Sequence, residues 1–239
     1  MIYGFILISA AATHPGAAPL PTAESDSQSI MTEEITGEPE NITVEAVRQA
    51  EETLGNPESD LYDEAAFCEV LRKALDADIL GEADRLRAEY RLEIAEKNKP
   101  GSFAADFMYV DREGVKTSLH EFESSEVTGE AGVGKPVLLI FYDPDCDHCV
   151  QTIRCLRELN IQEKADVIAI YAEDDRDRWE ETAQELPSEW TVGFALDPIQ
   201  DEETYVFITS PTLYLLDKDK KVILKDAAVK GIAETLRNF

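Results

Sequence analysis

The sequence predicts an α/β fold, in which a mixed sheet has helices on both faces and follows a small all-helical segment. Two continuous apolar runs, Pro136–Tyr142 and Ala165–Tyr171, support this prediction because such runs are typical of central strands covered on both faces. Each run is followed by a segment of helical character, Asp147–Asn160 and Asp175–Leu186. Strands that alternate with helices in this way indicate parallel neighbours within one sheet.

Two predicted hairpins complete the sheet. The first joins Phe107–Asp111 to Val115–Ser118, and the second joins Thr212–Asp217 to Lys221–Lys225, each through a short polar turn. Ala227–Arg237 then has the character of a closing helix. From the first apolar run onward, the predicted order of elements is therefore β-α-β-α-β-β-α.

The chain begins with residues that resemble an export signal. The apolar run from Ile2 to Ala12 is too short to span a bilayer, and its last three alanines offer a cleavage site of small residues. No Lys or Arg precedes this run, which departs from the usual pattern. We interpret residues 1–14 as a signal peptide and expect an exported protein with no membrane span after signal cleavage.

Three further segments follow the predicted signal peptide. Residues 15–42 are rich in Pro, Ser, Glu and Thr and predict a flexible acidic linker, since they bury too little apolar surface to offset the entropy of ordering. Residues 43–99 predict a helical domain of three short helices, and residues 100–239 predict the α/β domain. The apolar residues of the helices recur at spacings of three and four, as amphipathic helices require. They are Val44, Val47 and Leu54; Leu61, Ala65, Cys68, Leu71 and Leu75; and Ala83, Leu86, Tyr90 and Ile94.

The composition excludes some classes of partner. Of 239 residues, 44% are hydrophobic, which suits a soluble globular protein with a real core. Asp and Glu number 50 against 22 Lys and Arg, for a formal net charge of -28. Such a charge repels phosphate backbones and anionic lipid headgroups, so we expect no nucleic-acid partner.

Cys146 and Cys149 form a Cys-x-x-Cys pair where the first apolar strand ends and a helix begins. This spacing beside a strand–helix–strand unit is typical of thiol–disulfide exchange. The N–H groups of a helix N-terminus favour an anion, so Cys146 is predicted to attack as a thiolate. Cys149, one helical turn further on, is predicted to resolve the resulting mixed disulfide.

Neighbouring charges are predicted to tune this thiol pair in opposite directions. Asp145 and Asp147 disfavour a thiolate by raising thiol pKa values, whereas a protonated His148 favours one. The direction of the redox reaction therefore stays open.

Ser210-Pro211 comes just before the strand Leu213–Leu216. A proline at the entry of a strand is tolerated because its missing N–H lies at the end of the ladder. Alone, Pro211 would be interpreted as an ordinary loop proline. Together with the Cys-x-x-Cys pair, its position resembles that of the cis proline that faces the disulfide in thioredoxin folds. Such a bond would expose the backbone of Ser210 to an extended substrate, so both residues are predicted to bind substrate.

Several stretches resemble the thioredoxin-like, TlpA-type proteins of bacterial envelopes: LLIFYDPDCDHC, VIAIYAEDD and SPTLYLLDKDKKVILKD. NPESDLYDEAAFCEVLRKAL and RLEIAEKNKPGSFAADF resemble the helical domain of unknown function that precedes such a domain in Bacteroidetes envelope proteins. The resemblance implies a thioredoxin fold and thiol–disulfide exchange in the periplasm or cell envelope, and it does not supply a substrate. We expect an exported thiol–disulfide oxidoreductase, a reductase or isomerase of envelope protein disulfides, whose partners are client protein disulfides and an unidentified electron donor or acceptor. The chain departs from the family at Asp145, where a large residue is common, and at the dipeptide Asp147-His148.

Other interpretations of the site stay open. The pair could be a structural disulfide, or the thioredoxin fold could serve as a platform in a non-catalytic binding or scaffold protein. A zinc site is a weaker alternative, because no second Cys-x-x-Cys or His pair completes a tetrahedral site. We expect no metal and no cofactor. A peroxiredoxin-like peroxidase would need Thr at position 143, where the chain has Asp143. Cys68 is expected in the helical core, and Cys155 as a partly buried free thiol.

Overall fold

A computed structural model describes residues 42–126, 134–200 and 202–239. The predicted signal peptide, and the predicted linker up to residue 41, lie outside the described residues. The division of the chain at residues 99 and 100 stays a prediction.

Within the described ranges, seven strands form one mixed sheet in the order β2-β1-β5-β4-β3-β6-β7. β3 and β5 both run parallel to β4, and every other neighbouring pair is antiparallel. This arrangement confirms the predicted α/β class, the mixed sheet and both hairpins. The strands are β1 (Met108–Asp111), β2 (Lys116–Ser118), β3 (Val137–Tyr142), β4 (Asp166–Tyr171), β5 (Thr191–Ala195), β6 (Thr212–Leu216) and β7 (Val222–Leu224).

The predicted order of elements was wrong in one place, because β5 is an additional strand between the second helix and the second hairpin. Its central Gly193 weakens the local preference for a strand. The tertiary contacts require that glycine, since a Cβ there would lie 2.6 Å from Tyr109 Cδ2 and 2.9 Å from Ile170 Cδ1. The strand is therefore favoured by pairing with β1 and β4 and is not evident from its own sequence.

In the part of the chain that the structure describes, six α-helices accompany the sheet, three before it and three within the α/β part. Side chains of Thr43, Asp63 and Asp175 accept backbone N–H groups at the start of three of them, which explains where those helices begin. No helix among residues 42–126, 134–200 and 202–239 is long and apolar enough to cross a membrane. The helices are α1 (Val44–Thr53), α2 (Glu64–Asp76), α3 (Glu82–Glu96), α4 (Asp147–Glu158), α5 (Arg176–Thr182) and α6 (Val229–Thr235).

The predicted apolar face of α3 was only partly right. Leu86 and Tyr90 are 61% and 42% exposed, whereas Ala88, Ile94 and Ala95 are buried. Spacing alone leaves the orientation of a weakly amphipathic helix open. Its contacts with neighbouring elements decide the buried face here.

The sheet has a hydrophobic core on each face, because side chains alternate along the strands. On one face, Leu138 and Ile140 of β3 pack in a cluster with Leu156 of α4, Trp179 of α5 and Ile232 of α6. This packing fixes α4 against the sheet. The N-terminus of α4 is therefore held at the end of β3, where the cysteine pair lies.

Aromatic residues dominate the other face. Phe141 of β3 packs against both Phe107 and Tyr205, with ring centroids 5.8 Å and 4.8 Å away. Tyr214 of β6 meets Tyr205 edge-on at 5.4 Å. These rings cover the second face of β3, so the strand is buried on both sides, as its apolar run predicts.

The helical segment is hydrogen-bonded to the α/β part. Lys225 Nζ lies 3.0 Å from the Glu64 carboxylate and donates to the Ile94 carbonyl oxygen at 3.0 Å. Asn98 Nδ2 donates to the Thr204 carbonyl oxygen at 2.8 Å. With these polar contacts in place, the loop between α1 and α2 lies beside the start of α4, where Glu58 meets His148.

Candidate functional site

The cysteine pair lies at the start of α4, directly after the buried strand β3. Cys146 is the residue that caps this helix, and its Sγ accepts the Cys149 N–H at 3.4 Å. Upstream, the Cys146 N–H donates to the Asp143 carbonyl oxygen at 3.2 Å, which closes a tight turn. Cys146 Sγ therefore lies at the N-terminus of a helix, beside a backbone N–H donor.

The two thiols differ in accessibility. Both are free; Cys146 is partly exposed, whereas Cys149 is 0% exposed. Burial raises the pKa of the Cys149 thiol to about 12, although the Asp143 N–H that its Sγ accepts at 3.5 Å opposes this rise. The site thus has one thiol open to a partner and one sheltered, protonated thiol behind it.

Ser210 and Pro211 lie next to the exposed thiol. The Cys146 thiol donates to the Ser210 carbonyl oxygen at 3.7 Å, across 64 positions of sequence. The peptide bond between Ser210 and Pro211 is cis, and β6 begins directly after it. The structure therefore brings four residues singled out in the sequence, the two cysteines, Ser210 and Pro211, into one site.

Asp145 is paired with an arginine that the sequence did not indicate. Arg178 of α5 binds both carboxylate oxygens of Asp145, with its Nε 3.0 Å from Oδ2. These hydrogen bonds hold the pKa of Asp145 below its usual value. Asp145 stays ionised, and its charge is largely balanced by Arg178, so its effect on a thiolate is smaller than the sequence alone implies. Since 33 positions separate the pair, no local pattern could have revealed it.

The other two predicted tuning residues are exposed at the surface of α4. His148 Nδ1 lies 3.5 Å from Glu58 Oε1, in the loop between α1 and α2. Asp147 lies in the first turn of α4, beside Cys146. Their influence on the thiols, and that of Asp145, stays a prediction.

A cavity of about 570 Å³ opens beside the pair. Pro57 and Glu58 of the helical segment form one side, and His148 of α4 and Pro211 contribute to the others. Asp226, the residue after Lys225, also lines it. Glu58 and Asp226 were not predicted to lie near the cysteine pair, because only the packing of the helical segment on the α/β part brings them here.

The remaining cysteines lie outside this site. Cys68 is buried in α2, as predicted. Cys155 is exposed, so the expectation of a partly buried thiol was wrong. It lies on the solvent side of α4, because the buried side of that helix is occupied by Cys149, Thr152 and Leu156. Within the described residues, no three His, Cys, Asp or Glu side chains form a group that could hold a metal ion.

No protein-family model matches this chain, and no curated protein matches it. Solved structures do match. A thioredoxin-like protein from Bacteroides caccae is 28% identical with a TM-score of 0.71, over 90% of this chain and 77% of that one. The chain is a thioredoxin-like protein. A match over 90% of its length extends beyond residues 100–239 into the helical segment.

Two further matches cover a smaller part of this thioredoxin-like chain. The C-terminal domain of an uncharacterized protein from Bacteroides fragilis is 30% identical, with a TM-score of 0.52, over 59% of this chain and 99% of that one. A conserved protein of unknown function from Bacteroides fragilis is also 30% identical, with a TM-score of 0.51, over 58% and 98%. Both are similar to more than half of this chain, and neither is described by a fold or an activity.

Proposed function

We propose that the protein is an exported thiol–disulfide oxidoreductase that acts on the disulfides of client proteins. The observation that supports this most is the asymmetry of the pair. Cys146 is partly exposed at a helix N-terminus, and Cys149 is buried one turn further along the same helix. A structural disulfide would need no such difference between its two thiols.

The proposed reaction has two exchange steps. The Cys146 thiolate attacks one sulfur of a client disulfide, so that the client S–S bond breaks and its other sulfur leaves as a thiolate. Cys149 then loses its proton and attacks Cys146 Sγ, which releases the second client thiolate. The client gains two electrons, and Cys146 and Cys149 become a disulfide. An external donor of electrons returns them to thiols, and the reverse sequence oxidises a client.

The carbonyl oxygen of Ser210 is proposed to orient the client. It lies 3.7 Å from Cys146 Sγ, so an extended segment that pairs with the Ser210 backbone would bring its sulfur next to the thiol. Pro211 would form the adjoining wall. The chemistry requires no cofactor, since thiols and disulfides carry both electrons.

We place the protein in the periplasm or cell envelope, with residues 1–14 as the signal peptide. Asp145, Asp147 and His148 are proposed to tune the reactivity of the pair. Arg178 balances the charge of Asp145, and Glu58 lies against His148. The redox direction is set by the relative stability of thiolate and disulfide at this site.

A non-catalytic binding or scaffold protein is the second candidate. The helical segment favours it, because α1, α2 and α3 have their own hydrophobic cluster and the exchange chemistry does not need them. In that case a pull-down would recover the same partners from the unchanged protein and from a Cys146→Ser/Cys149→Ser variant. Partners held only as mixed disulfides would exclude it.

A redox titration in glutathione buffers tests the proposal. Alkylation of free thiols, followed by intact-mass measurement and peptide mapping, should show a reversible two-electron transition between Cys146 and Cys149. Cys155→Ser serves as the control and should leave this transition in place. A pair that never forms a disulfide, or full disulfide-reducing activity in Cys146→Ser, would contradict the proposal.

A further inference from the structure

The cavity beside the cysteine pair is lined by acidic groups from the helical segment and from the α/β part. Glu58 comes from the loop between α1 and α2, Asp147 from α4, and Asp226 from the segment after β7. The described lining residues include no lysine or arginine, and His148 is their one basic side chain. We call this cavity, defined by Glu58, Asp147, His148, Pro211 and Asp226, the acidic groove.

Asp226 gives a second, independent sign that the groove accepts a ligand. The residue is 5% exposed, and within the described part of the chain its Oδ2 has no hydrogen-bond partner. A buried acceptor without a donor is costly, so an arriving N–H group would gain by meeting it.

Within the described residues, neither Lys225 nor Arg91 donates to Asp226 Oδ2. Lys225 Nζ is turned toward Glu64 and the Ile94 carbonyl oxygen, and Arg91 Nη2 donates to the Gly55 carbonyl oxygen at 2.8 Å.

We propose that the acidic groove receives an extended client segment that carries lysine or arginine next to its disulfide cysteine. This inference rests on the proposed function and names its substrate class. The groove adjoins the cysteine pair at Asp147 and Pro211, so the basic side chain would enter it while the client sulfur meets Cys146. Glu58 makes the helical segment one wall of the client site, which gives that segment a role in selectivity.

The charge of the whole chain, -28, would attract any cationic peptide, so the test must separate the groove from the general field. Three peptides of identical length carry one cysteine as a mixed disulfide with 2-nitro-5-thiobenzoate, flanked by lysine, glutamine or glutamate. Cys146 attacks the peptide sulfur, and the released thiolate is followed by its absorbance. The full chain with Cys155→Ser is used, because the exposed Cys155 would otherwise react as well.

The ratio of the lysine-peptide rate to the glutamine-peptide rate is the readout, since a change in the intrinsic reactivity of Cys146 cancels in it. At low salt we expect a ratio of about fivefold, as two partly exposed charge pairs provide. At about 0.5 M salt it should approach one, because such pairs are screened. Glu58→Gln/Asp147→Asn should lower the low-salt ratio to within about twofold of one, by removal of the same pairs.

The matched control is Glu158→Gln/Glu163→Gln, which removes the same charge from exposed positions at the far end of α4 and just beyond it. It should keep the ratio of the parent protein. An equal loss of the ratio in this control, or a parent ratio near one, would overturn the inference while the proposed function stands. If Cys146→Ser reacts with the peptides as fast as its parent, the proposed function itself fails.

Discussion

Asp226 links the stability of the protein to pH, and the effect can be calculated from its surroundings. Burial is the main cause that raises the pKa of this carboxyl from 3.8 to about 7, with Glu64 adding to the rise and Lys225 and Arg91 opposing it. In the unfolded chain the carboxyl has its ordinary pKa. Between about pH 4 and about pH 7, the folded state therefore holds a proton that the unfolded state has lost.

Unfolding free energy must fall as pH rises through that window, because a raised carboxyl pKa favours folding only while the proton is bound. A shift of about three units corresponds to about 4 kcal/mol, lost almost completely by about pH 8. Asp226→Asn has no proton to lose. The stability of this variant relative to the unchanged protein should therefore rise by about 4 kcal/mol from pH 4 to pH 8.

Urea unfolding of the reduced protein, followed by the fluorescence of the buried Trp179 and Trp190, measures this difference. Other carboxylates titrate in both proteins, so their contribution cancels. Asp60→Asn, at an exposed position of the loop between α1 and α2, is the control and should show no such trend. A difference between Asp226→Asn and the unchanged protein that stays constant within about 0.5 kcal/mol over this range would refute the argument.

Three further predictions concern the sheltered thiol, the contact between the two parts of the chain, and β5. Burial raises the pKa of Cys149 to about 12, so at about pH 8 iodoacetamide should label it at least tenfold more slowly than the exposed Cys155. Peptide mapping measures the two labelling rates, and similar rates would contradict this prediction. Lys225→Met should lower the free energy of unfolding by about 3 kcal/mol, because the partly buried Glu64 carboxylate and two buried carbonyl oxygens lose their donor. A loss below about 1 kcal/mol in urea unfolding would be inconsistent with that contact. Gly193→Ala should cost about 1 to 3 kcal/mol, because its Cβ would meet the Tyr109 ring at 2.6 Å; an unchanged thermal midpoint would argue against the packing.

Elements with a strong local pattern could be predicted from the sequence. The apolar run of β3 predicts a strand buried on both faces, and the structure buries all six residues of Val137–Tyr142. The hairpins could be predicted because their polar turns interrupt the alternation of apolar and polar residues. The antiparallel pairing of β1 with β2 and of β6 with β7 confirms them. β5 was not predicted because its formation depends on pairing with strands that are distant in sequence. Gly193 also lowers the local preference of this segment for a strand.

The candidate site divides in the same way. Cys146 and Cys149 are separated by one helical turn, so their spacing predicts the pair. Ser210 could be predicted from Pro211 at the entry of a strand, and it lies beside Cys146 because β6 is antiparallel to β3 and starts where β3 ends. Nothing in the sequence around Arg178 predicts its contact with Asp145.

The sequence by itself determined the α/β class, the position of the cysteine pair at a helix start, and the acidic character of the chain, because these depend on periodicity, spacing and composition. The tertiary structure alone decided which charges surround the pair. It pairs Asp145 with Arg178, sets Glu58 against His148 and buries Asp226 beside the groove. Such contacts follow from the packing of α5 and of the helical segment around α4, and packing depends on the shape of the whole chain rather than on any short stretch of it.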